Sequence, residues 1–84
     1  MEKWPNWWEW ELEISPHILK RVIDRSFSET DLRLMLDQAT GLRPDHVLGR
    51  WIVETTLDDL SWEVIVEPDE DAQVLIAVTA YKPS

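Results

Sequence analysis

The chain has 84 residues, 44% of them hydrophobic, and a formal net charge of −9. That is enough for one small globular domain and too acidic for broad binding to a polyanion. With no cysteine, two histidines and two glycines, disulfides, thiolate metal sites and a glycine-rich phosphate loop are excluded, and neither a metal nor a cofactor is expected.

Residues 1–7 read as an irregular, tryptophan-rich lead-in. It lacks the basic-then-apolar order of a secretory signal, and no apolar run reaches membrane-spanning length, so the expected setting is cytoplasmic with no membrane contact. From residue 8 to 14 the stretch WEWELEI alternates without a break. Trp8, Trp10, Leu12 and Ile14 take one face and Glu9, Glu11 and Glu13 the other, which predicts a half-buried strand. On that reading Trp7 points away from the core face, and Trp4 and Trp7 are the tryptophans available to a protein partner or a second copy of the chain.

Ser15 and Pro16 supply an N-cap and a first helical residue. The helix is expected from about Pro16 to Arg25, with Ile18, Leu19, Val22 and Ile23 facing the core. His17, Arg21 and Arg25 recur at four-residue spacing and line up along one flank. Ser28 is the N-cap of a second helix, Asp31 completes a capping-box-like pair, and Phe27 staples onto Leu32. Leu32, Met35, Leu36 and Ala39 share a face, and Gly41 closes the helix as a left-handed cap.

Leu42–Asp45 reads as a loop. Three strands follow in VLGRWIVETTL, SWEVIVE and AQVLIAVTAY, with turns at LDDLS and PDED. The last strand is apolar on both faces, which predicts an internal position. Strict alternation along it puts Leu75, Ala77, Thr79 and Tyr81 on one face. The predicted fold is α+β in a single domain spanning 1–84. Its order is strand, helix, helix and three strands, with two helices packed on an antiparallel sheet.

In so acidic a chain, the gathering of Lys20, Arg21, Arg25 and His17 admits two readings. The first joins His17, Arg21, Arg25, Arg50 and Tyr81 into a phosphate-handling cluster. Metal-independent RNA cleavage needs a proton acceptor, a proton donor and cations for the charged transition state. Histidine titrates near neutral pH, arginine presents several fixed donors to phosphate oxygens, and tyrosine can stack on a base or pass a proton. The second reading makes the arginines partners of carboxylates such as Glu9, Glu11, Glu13, Glu63 or Glu67.

The order Ser15-Pro16-His17, then His17, Arg21 and Arg25 in step, then SFSETDL, resembles the DUF4258 group of small bacterial helix-then-sheet domains. Gly49-Arg50-Trp51 and the ending Val78-Thr79-Ala80-Tyr81 extend the likeness over roughly residues 8–82. That group is related to BrnT and, more distantly, to RelE-type ribonuclease toxins. The resemblance implies a RelE-like fold and a toxin that cleaves RNA and is silenced by an antitoxin protein. The acidic meander, with no Lys or Arg between Trp51 and Tyr81, points to an alternative. On it the scaffold is a non-catalytic interaction domain that binds a basic protein or pairs with itself through a sheet edge.

Overall fold

A computed structural model describes residues 4–21 and 28–83, without the side chains of Leu19 and Arg21. A 3-10 helix at Asn6–Glu9 precedes β1 (Glu11–Ile14), α1 (Pro16–Arg21), α2 (Glu29–Asp37), β2 (Gly41–Pro44), β3 (Trp51–Leu57), β4 (Leu60–Asp69) and β5 (Val74–Tyr81). The strands form one five-stranded sheet in the order β1-β5-β4-β3-β2. β2 to β5 make an antiparallel meander, while β1 pairs with β5 in parallel. The α+β class and the two helices on a sheet are as predicted. The all-antiparallel sheet is not.

The reason is β2. The sequence places Gly41 as the cap of α2, but the helix ends at Asp37 with Gln38 as its C-cap, and Gly41 opens a strand opposite Glu54. One strand added to a meander reverses the direction of its last member relative to the strand that precedes the helices. The unanticipated β2 therefore accounts for the parallel pairing of β1 with β5. Gly41 has a spatial role instead of a conformational one. A Cβ there would come within 2.5 Å of Glu54 Oε1, so a larger residue would push that carboxylate aside.

The predicted first strand is also shortened. Pro5 and the stacking of Trp4 on Trp8, with ring centroids 4.6 Å apart, accompany a 3-10 turn over Asn6–Glu9, and only Glu11–Ile14 is extended. Trp7 does not point away from the core. Its ring is tilted against Trp51 at 5.6 Å, and Trp7, Trp8 and Trp10 all pack on the core margin.

Both helices begin as predicted. The Ser15 hydroxyl accepts from the Ile18 N–H. At α2 the capping box is complete: Ser28 Oγ accepts from Asp31 N–H and Asp31 Oδ2 accepts from Ser28 N–H. Ile18 of α1 and Leu32 and Met35 of α2 are fully buried against Val53, Val64, Val66, Leu75 and Ala77 of the sheet. Each such side chain contributes roughly 1.5–3 kcal/mol by leaving water. Thr55, the buried polar side chain among the described residues, donates its hydroxyl to the Met35 carbonyl and so ties α2 to β3. The expected Phe27 staple and the helix from 22 to 25 lie outside the described residues.

A bulge divides β5. Ile65 pairs with Thr79 but Val66 pairs with Ala77, leaving Val78 as the extra residue. An extra residue flips the side-chain alternation. Leu75, Ala77 and Ala80 are therefore buried toward the helices, and Thr79 and Tyr81 turn to the opposite, open face. This corrects the predicted grouping of Leu75, Ala77, Thr79 and Tyr81 on one face.

Candidate functional site

The open face of the sheet carries a charged row. Gly41, Glu54, Glu63 and Tyr81 are in register across four strands. Arg43 stands one row along, opposite Ile52, and reaches sideways into this row. Its Nε lies 2.8 Å from Glu54 Oε2 and its Nη2 lies 2.8 Å from Glu63 Oε2. The Tyr81 hydroxyl donates to the other Glu63 oxygen at 2.9 Å. Further along, Arg50 Nε donates to Glu67 Oε1 at 3.1 Å. Arg43, Glu54, Arg50 and Glu67 are partly exposed, so solvent screens these pairs, and Glu63 is the more buried carboxylate.

The electrostatics follow from these contacts. The Glu54 hydrogen bond and the charges of Glu63 and Glu54 outweigh desolvation and raise the Arg43 pKa, so its guanidinium stays charged. Burial, followed by the hydrogen bond and charge of Glu63, raises the Tyr81 pKa against the opposing pull of Arg43. Folding thus favours the neutral phenol. The associated stability is present at neutral pH and is lost as pH climbs through the raised value. Tyr81 is the chain's only tyrosine, so tyrosinate absorbance reads it alone. Its titration is expected above the usual midpoint of about 10, with Glu63→Gln moving the midpoint back down. A midpoint unchanged by Glu63→Gln contradicts the assignment.

Of the residues singled out as a phosphate cluster, the described side chains of His17, Arg50 and Tyr81 are not brought together. His17 is exposed in the first turn of α1, on the helix side of the sheet. The Arg21 side chain and all of Arg25 lie outside the described residues. Arg50 and Tyr81 are on the open face, held by different carboxylates four positions apart on β4, roughly 13 Å at strand rise. Glu63 and Glu67 pair with Arg43 and Arg50 of the sheet, whereas the pairing expected with the arginines of the first helix lies outside the described residues. Arg43 was missed because its segment read as a loop. A usable signal was the outward alternation of Glu54 and Glu63 on neighbouring strands, which calls for a cation nearby.

A second cluster surrounds the tryptophans. Trp8 and Trp10, with Leu36, Arg33 and Asp37 of α2, line a cleft of about 280 Å³. Trp7 and Trp10, with Asn6, Glu70 and Gln73, line another of about 370 Å³. Trp4 covers Trp8 by stacking on it. Among the described residues no group of three His, Asp or Glu side chains is placed to hold a metal ion, and no helix is long and apolar enough to cross a membrane. Comparisons with protein-family models, curated proteins and solved structures find no significant match to this chain.

Proposed function

We propose that this chain is a non-catalytic interaction domain that binds a basic protein through its acidic open face and tryptophan lead-in. One observation carries the reading. The arginines on the sheet are already neutralised, Arg43 between Glu54 and Glu63 and Arg50 by Glu67. A phosphate would have to break those pairs, whereas a cationic partner meets a face that also carries Glu11 and Glu13. The test is a titration with a 20-residue Lys- and Arg-rich peptide and, separately, with single-stranded RNA. Salt-sensitive binding of the peptide and none of the RNA is expected, and the reverse result overturns the reading.

A second reading is favoured by the exposure of His17 on α1, four residues before Arg21. It makes the chain a RelE/BrnT-like toxin, a metal-independent ribonuclease restrained by an antitoxin. Here purified protein cleaves RNA, and His17→Ala abolishes cleavage without changing the circular dichroism spectrum. Intact RNA after incubation with wild-type protein rules this reading out. The edge strands β1 and β2 also offer pairing to a second copy, which light scattering at high concentration reports directly.

A further inference from the structure

We infer that Trp7, Trp8 and Trp10 form a paired receptor for two cationic side chains of one partner segment, with Trp10 as the wall between them. The inference rests on the interaction-domain reading and specifies the partner's chemistry. Trp10 lines both clefts. In one it is joined by Trp8 and Asp37, and in the other by Trp7 and Glu70. Each cleft therefore combines two indoles with one carboxylate. Asp37 and Glu70 are exposed and have no hydrogen-bond or ion-pair partner among the described residues. Arg33, at the first cleft, is committed to Glu29 at 2.9 Å.

This is the chemistry of a lysine or arginine receptor. Indole faces attract cations through their quadrupole, the apolar stem of the guest lies along the ring, and the carboxylate meets the charged head. A net charge of −9 adds long-range attraction for such a segment. An extended chain sets side chains i and i+2 on the same side, about 7 Å apart. Two stems in van der Waals contact with one ring between them need about 7–8 Å. A segment with basic residues two apart, such as Arg-Thr-Arg, therefore fits a shared indole wall.

The test uses the full chain and an eight-residue peptide containing Arg-Thr-Arg, its citrulline counterpart, and the longer basic peptide named above. The indole N–H resonances of Trp7, Trp8 and Trp10 are expected to shift with the arginine peptide. Calorimetry is expected to give at least tenfold weaker binding for citrulline, and about fivefold weaker binding for Asp37→Asn or Glu70→Gln. Both substitutions are on exposed residues, and removing an acid from the last turn of α2 does not oppose the helix dipole. Equal affinity for arginine and citrulline, or full affinity in both variants, overturns the paired receptor. If the longer peptide still binds, the interaction-domain reading survives that result. If neither basic peptide binds, both readings fall.

Discussion

Leu32→Ala is expected to destabilise the chain by about 3 kcal/mol, read as a fall in the urea midpoint. Leu32 is fully buried in the core that α2 shares with the sheet. Truncation removes its transfer energy and leaves a cavity that only partial relaxation can fill. Domains of this length are stable by roughly 4–13 kcal/mol, so a large fraction of the total is at stake. Leu34, two residues on, is 44% exposed. Leu34→Ala is therefore expected to change stability by no more than about 0.5 kcal/mol. Equal losses in the two variants would show that α2 is not seated by the face described. The comparison bears on function as well, because Arg33, Leu36 and Asp37 of the same helix line the first tryptophan cleft.

What was legible in the sequence was local. The Ser28–Asp31 capping box involves residues three apart, and the shared face of Glu63, Ile65 and Glu67 on β4, opposite core-facing Val64 and Val66, follows from alternation alone. What was not legible depends on contacts distant in the chain. Gly-Leu-Arg-Pro has little strand propensity, and it becomes β2 by pairing with β3. WEWELEI has the period of a strand throughout, yet its first part is taken by a 3-10 turn in which Trp8 stacks on Trp4 and Trp7 meets Trp51. β5 is apolar on both faces, so its sequence carries no phase from which a bulge at Val78 could be read.

The described members of the candidate site are kept apart for the same reasons. Tyr81 and Arg50 share the open face, and His17 stands on the helix side of the sheet. The cation that does meet Tyr81's carboxylate partner, Arg43, sits on the strand that was read as a loop. The side of the sheet that each group takes depends on one extra strand and one extra residue.

That extra residue leads to a second result, for Ser15→Ala. The Ser15 hydroxyl has two roles at once. It accepts from the Ile18 N–H at 3.3 Å as the N-cap of α1, and it donates to the Val78 carbonyl at 2.9 Å. Val78 is the bulged residue of β5, left out of the pairing with β4, and a serine side chain supplies its carbonyl with a donor. Ser15 N–H donates to the neighbouring Ala77 carbonyl at 3.1 Å, so the backbone is also anchored here. Alanine loses the cap, at about 1 kcal/mol, and leaves the part-buried carbonyl without its donor, at about 1 kcal/mol more. For a domain of this size the combined loss lowers Tm by roughly 8–16 °C. Threonine keeps both contacts and is expected to stay near wild type. Ionised aspartate caps well but has no proton to donate to Val78, so Ser15→Asp is expected to recover only the cap. If Ser15→Asp is as stable as wild type, the bond to the bulge contributes nothing and the two-role account is wrong. Ala77 and Ala80, buried on either side of Val78, hold the bulge without the serine. Tyr81 should therefore keep its raised titration in Ser15→Ala, which separates the loss of two hydrogen bonds from a slip of the strand that orients the site.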